Sequence, residues 1–147
     1  MGGLVARFGI IGAIVVGGFV VRDYLTGAAS DLQVGDCFDE PPGMEATVSE
    51  VTRHPCTDPH DAEVFFVADY SPSGGPFPGD VALEAFIDAN CPAAYTAYLG
   101  RDYVTDTEYD YGVYFPLPEG WDAGDHEITC FVVRIDGGQM TQSVRAP

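Results

Sequence analysis

Six residues of the types that bind metals or move protons crowd into one short stretch: His54, Cys56, Asp58, His60, Asp61 and Glu63. Imidazole, thiolate and carboxylate are the donor set of zinc and related transition metals. Two features argue against a metal. Pro55 and Pro59 stiffen the loop, and structural zinc sites bring more cysteines at tighter spacing. The plainer alternative is a structural loop in which His60 or Asp61 hydrogen-bonds backbone groups where a strand begins. A cysteine–histidine nucleophile, Cys56 with His60 or His126, would need an unpaired reactive thiol. The four cysteines, Cys37, Cys56, Cys91 and Cys130, leave none over once paired. No Gly-x-Ser-x-Gly elbow, phosphate loop or dinucleotide fingerprint is present. Acids are too widespread to mark a glycosidase pair. The expectation is a protein that is not an enzyme, with no catalytic residue, no metal and no cofactor.

A second chemistry is recognition. Tyr103, Tyr109, Tyr111, Tyr114 and Trp121 lie among acids. Such aromatics build surfaces for proteins or glycans, and equally cap small cores. The candidate binding surface is His60, Asp61, Tyr109, Tyr111 and Trp121.

The charge bounds the partners. There are 23 acidic residues against six basic ones, all arginine, for a net charge of −17. Asp23 is the first acid, so the excess follows the apolar start of the chain. This surface repels nucleic acid and anionic lipid headgroups, which excludes a nucleic-acid partner. It suits basic partners, divalent cations or high salt, and it keeps a small domain soluble. A halophilic host would also produce acids without lysine.

Phe8 to Val21 carries no charge, and as a helix it spans about 21 Å, short of the hydrocarbon core. Leu4 to Ala6 extend it, Arg7 and Arg22 can reach opposite interfaces, and Tyr24 suits the aromatic belt. The rival reading is a cleaved signal peptide with small residues at 26–30. Arg22 and Asp23 directly after the apolar run favour an uncleaved anchor. Gly9, Ala13 and Gly17 recur at four-residue steps, a small-residue face for packing against another membrane helix. The expected organisation is an anchor at 1–25, a linker at 26–31 and one domain at 32–147. An even cysteine set behind such a segment places the domain outside the cytoplasm with two disulfides.

The elements that must position these groups follow from patterning. A turn and short strand open at Val34–Phe38, and Thr47 to Val51 alternates as a second strand. Glu63 to Asp69 is a buried strand. Asp80 is a candidate N-cap for a helix with Leu83, Ile87 and Cys91 on one face and Asp80, Glu84 and Asp88 on another. Pro92 breaks that helix or starts a second one. Tyr95, Tyr98 and Leu99 continue the apolar side, and Gly100 suits the C′ position. Val113 to Pro116 is a strand candidate, Trp121 to Asp125 a turn, and Glu127 to Ile135 the strongest strand. Four cysteines allow three pairings. The layout favours Cys37–Cys56, bracketing the first strands, and Cys91–Cys130, stapling helix to sheet. The expected fold class is α+β: a single N-terminal transmembrane helix plus a small, mostly antiparallel sheet packed by one or two helices.

Taken in order, several landmarks belong together. They are Val34-Gly35-Asp36-Cys37-Phe38, then Cys56 followed by Pro59-His60-Asp61-Ala62-Glu63-Val64. After these come Cys91 after a helix, Trp121 with Gly124-Asp125, and Cys130 on the last long strand. This set resembles the septum-formation domain of actinobacterial membrane and secreted proteins, over about residues 32 to 145. The resemblance implies an extracytoplasmic domain often joined to a transmembrane helix, with a link to cell division and no catalytic residues to carry over. His126 departs from it, since arginine is expected after Gly-Asp, so that residue's job is lost or pH-dependent here. Ser143-Val144-Arg145 matches the family's ending only loosely. The expected function is a single-pass envelope module at the cell membrane, docking a membrane protein through its helix and acidic domain in septum or envelope assembly. The alternative is an accessory structural subunit of a respiratory or transport complex. An enzymatic or metal-binding domain using the His60 region is a third reading.

Overall fold

Ile128 to Val133 are all buried, and they sit on the central strand that organises the sheet. In a strand, successive side chains leave opposite faces. Here Ile128, Cys130 and Val132 pack under a helix, while Phe131 and Val133 fill a second cluster on the other face. Burial on both sides explains the unbroken apolar run. The computed structural model describes residues 31–40, 51–70 and 74–147. Its elements are β1 (Cys37–Asp39), β2 (Thr52–His54), β3 (Ala62–Asp69), α1 (Asp80–Leu99), β4 (Tyr109–Tyr114), α2 (Pro118–Asp122) and β5 (Glu127–Arg134). The five strands form one antiparallel sheet in the order β2-β1-β3-β5-β4.

The β3–β5 register slips between Val64 and Phe66, leaving Phe65 as an extra residue in β3. Phe65 and its neighbour Phe66 therefore both pack on the helix side. Phe65 meets Tyr95 and Tyr111 edge-on, with ring centroids 5.7 and 5.8 Å apart. On the opposite face Phe38, Tyr114 and Phe131 stack around Val64.

Helix α1 buries Leu83, Ile87, Cys91, Tyr95, Tyr98 and Leu99, as the periodicity predicts. Gly100 ends it in the left-handed conformation, φ 68°, with its N–H donated to Thr96 O. Two expectations need correction. Gly79, not Asp80, is the N-cap, and Asp80 instead opens the first turn, where its charge favours the helix dipole. Pro92 neither stops nor divides α1. The Cys91–Cys130 bond and the buried residues beyond it offset the lost backbone hydrogen bond. Among the described residues β2 pairs with β1, and the expected Thr47–Val51 strand lies, apart from Val51, outside the described residues.

The expected fold class also needs correction in its membrane part. Among the described residues no helix is long and apolar enough to cross a membrane. The one long helix, α1, exposes Asp80, Glu84 and Asp88, which bars it from lipid. The fold is a small antiparallel sheet with one main helix, a short second helix and two disulfides. The segment 1–25 with Gly9, Ala13 and Gly17 lies outside the described residues, as does the linker apart from Asp31.

The disulfides pair as the layout favours, Cys37 with Cys56 and Cys91 with Cys130, with Cα atoms 5.3 and 6.3 Å apart. The second closes 39 residues of chain. Its removal in a Cys91→Ala, Cys130→Ala variant should cost about 4 kcal/mol in urea denaturation. An unchanged denaturation midpoint would refute the idea that this bond restrains the unfolded chain.

Candidate functional site

Glu63 is wholly buried on β3, opposite Cys37 of β1. Its carboxylate accepts three hydrogen bonds. Tyr98 Oη of α1 donates to Oε1 at 2.6 Å, Ser143 Oγ donates to Oε1 at 2.6 Å, and the Val144 N–H donates to Oε2 at 2.8 Å. The C-terminal segment is thereby held against the helix end. Ala146 N–H donates to Tyr98 O at 2.8 Å, and a Cβ on Gly100 would stand 3.2 Å from Ala146 Cβ. Upstream, His60 and Met140 exchange backbone hydrogen bonds of 2.9 and 2.8 Å. Asp61 Oδ1 accepts from Gln139 Nε2 at 3.2 Å, and Asp61 Oδ2 accepts from the Glu40 N–H at 3.2 Å. The His60-Asp61-Ala62-Glu63 run therefore acts as a clasp for residues 139–146. Burial, then the hydrogen bond to Glu63, pushes the Tyr98 hydroxyl well above the ordinary tyrosine value.

The clasped segment forms one wall of a groove of about 640 Å³. Arg101, Tyr109 and Arg134 face it from the end of α1 and from the paired strands β4 and β5. The Arg101 and Arg134 guanidinium carbons stand 5.0 and 6.0 Å from the Tyr109 ring centroid. Glu108 bridges the two arginines at 3.2 and 3.3 Å. Arg134 also pairs with Asp136 at 2.8 Å. Arg145 lies over the Tyr98 ring at 5.2 Å and pairs with no carboxylate among the described residues.

Asp106 fixes the groove's arginine wall. Its side chain has no exposed surface, and it accepts from Arg101 Nε at 2.7 Å and Tyr95 Oη at 2.6 Å. Arg101 Nη2 donates a second bond to Oδ1 at 2.9 Å, and the N–H groups of Glu108 and Tyr109 complete the set at 2.9 and 3.2 Å. Burial works to raise its pKa, but the hydrogen bonds from Arg101, Tyr95 and the two backbone groups win and hold the carboxyl down at about 2.

The structure separates the residues expected to share one binding surface. His60 is fully buried, and Asp61 is half-buried and tied to Gln139 and Glu40. Tyr111 is fully buried against Phe65, Tyr95 and Tyr103. Trp121 is buried too, donating Nε1–H to Gly75 O at 2.7 Å and stacking on His126 at 4.0 Å. Only Tyr109 reaches the groove. The expected Trp121–Asp125 turn begins in the last two residues of the short helix α2, with the Asp125 N–H donated back to Gly120 O. The groove residues missed from sequence are Arg101, Arg134, Arg145 and the whole segment 139–146. The available signal was scarcity: only four arginines follow residue 31, and three of them line this groove.

A disulfide-closed α+β domain whose last residues are pinned by a buried glutamate is the class that this geometry defines. The chain belongs to the septum formation family, whose model matches residues 34–146. No curated protein and no solved structure matches it.

Two outcomes test the site. Glu63→Gln replaces an acceptor oxygen by a donor amide facing other donors, and should cost about 1.5–3 kcal/mol. Amide exchange at Val144 and Ala146 should accelerate with it, and unchanged protection there would contradict the clasp. Asp106 has a folded pKa below the ordinary 3.8, so its stabilisation is full above that value and is lost as pH falls toward about 2. Melting temperatures of the parent and Asp106→Asn chains should therefore differ at neutral pH and converge near pH 2. A gap that persists in acid would exclude this role.

Proposed function

We propose that the protein is a non-catalytic interaction module of septum formation, or of the envelope assembly around it, working outside the cytoplasm. Its partner docks at the groove between Arg101, Tyr109, Arg134 and the clasped C-terminal segment. The observation that carries this reading is the concentration of scarce cations. In a chain of net charge −17, three of the arginines meet at one groove, and Arg145 has no carboxylate partner among the described residues. Arg101 and Arg134 are held by Asp106, Glu108 and Asp136, so Arg145 is the groove cation left to receive a partner's carboxylate.

Three further points support the reading. Membership of the septum formation family supplies the process. All four cysteines are paired, which suits an oxidising compartment. The reactive groups are also committed to structure. Glu63 and Asp106 are surrounded by donors, His54 Nε2 sits 2.7 Å from Asp39 Oδ2, and His126 stacks on Trp121. That arrangement favours association over chemistry.

A fluorescent fusion of the full chain, with a reporter that matures outside the cytoplasm, tests the proposal in dividing cells of the native host. It should concentrate at the division site, and Arg145→Glu should spread it evenly without lowering its amount or melting temperature. Even distribution of the parent chain would defeat the septal role. Stable co-purification with a respiratory or transport assembly would replace it with the accessory-subunit reading.

A further inference from the structure

We propose that Cys37, Cys56, His60 and Glu63 form a binding site for zinc or a similar transition metal, available only when the Cys37–Cys56 disulfide is reduced. Sheet register places Cys37 directly opposite Glu63. Ligand atoms of Cys37, His60 and Glu63 all lie within 4.8 Å of one another, and all three residues are buried. Cys56 Sγ, bonded to Cys37 Sγ, stands ready as a fourth donor.

The histidine supplies an independent observation. His60 Nδ1 lies 2.7 Å from Asp58 O, which makes Nδ1 the protonated nitrogen that donates to that carbonyl. Nε2 keeps its lone pair, and it is buried with no hydrogen-bond partner. Buried acceptors without a donor are uncommon. A histidine oriented through its other nitrogen by a backbone carbonyl is the arrangement that metal-ligating histidines use.

Tetrahedral zinc with bonds of about 2.0–2.3 Å places its ligand atoms roughly 3.2–3.8 Å apart. For Cys37, His60 and Glu63, contraction by about an ångström reaches that geometry, while the two sulfurs, bonded at 2.06 Å in the oxidised domain, must move apart. Glu63 Oε2 accepts one N–H, from Val144, and retains capacity for a metal.

Redox state controls the donors. A disulfide sulfur is not a thiolate, so the oxidised domain lacks two of the four ligands. A dithiol reductant gives two electrons to the Cys37–Cys56 bond, is itself oxidised to a disulfide, and leaves Cys37 and Cys56 as thiols. Metal entry then expels one proton from each, while neutral His60 and the Glu63 carboxylate complete the set. Reoxidation returns two electrons to an acceptor disulfide and releases the metal. The site is also the more accessible of the two bonds. Cys56 is half-buried, whereas Cys91 and Cys130 have no exposed surface. A small reductant reaches the first disulfide before the second.

Cobalt(II) is the probe, because thiolate coordination gives it charge-transfer and tetrahedral visible bands. The full chain is treated with a limiting phosphine until only the Cys37–Cys56 bond is open, verified by thiol alkylation. One equivalent of cobalt should then bind with both sets of bands, and zinc should bleach them. The unreduced chain should show neither. Cys56→Ser and His60→Gln, each confirmed as folded by circular dichroism, should weaken cobalt binding by at least about tenfold. Bands in the unreduced chain, or undiminished binding in Cys56→Ser, would overturn the site. So would a natively folded reduced chain without bands, or a reduced chain that loses its fold and does not regain it with zinc.

Discussion

The rest of the domain depends on one buried charge. A carboxylate taken from water into a protein core costs several kcal/mol unless donors surround it. Glu63 obtains its donors from two places far apart in sequence, Tyr98 on α1 and Ser143–Val144 near the end of the chain. The helix must therefore run past Pro92 to bring Tyr98 over the sheet. The C-terminal segment must fold back, meet Gly100 at the helix end, and raise the groove wall that carries Arg145. Fold and candidate site are two consequences of the same pairing.

Much of this was legible before the structure. The buried runs became β3 and β5 because alternation and continuous apolarity report burial directly. The apolar face of α1 and the Gly100 terminus followed from the helical period and from the one residue suited to φ 68°. Local signals failed where distant contacts decided the outcome. Pro92 is a helix breaker by propensity, but the disulfide beside it and Tyr95 beyond it hold the helix straight through. The tyrosines are amphipathic, so spacing could not tell Tyr111, sealed under α1, from Tyr109, half-buried between two arginines. Residues 139–146 contain little apolar periodicity. Their order comes from hydrogen bonds to His60, Asp61 and Glu63 that no window of sequence contains. The His60–Glu63 run has the residue types of a reactive site, and its main work is mechanical.

Charge economy shapes the surface. Isolated exposed ion pairs contribute little, but Arg101, Asp106, Glu108 and Arg134 share partners around one ring and stiffen each other. That network fixes the start of β4, one of the two edge strands of the sheet. The same strand has its Tyr111 N–H capped by the Asp110 carboxylate at 2.8 Å, and Tyr103 Oη donates to that carboxylate at 3.0 Å. An edge so occupied is a poor template for another strand. Association by strand addition at β4 is thereby disfavoured.

The clasp also sets when the domain can finish folding. Ser143 and Val144 reach Glu63 across sequence separations of 80 and 81. Until those residues are available, the sheet can close only by burying a carboxylate short of its donors, so partial chains keep that edge wet and open. A chain made from its N-terminus thus holds β3 unsealed until Ser143 and Val144 arrive. Copies that stop short of Ser143 cannot reach the sealed state, and their β3 edge stays open to local unfolding.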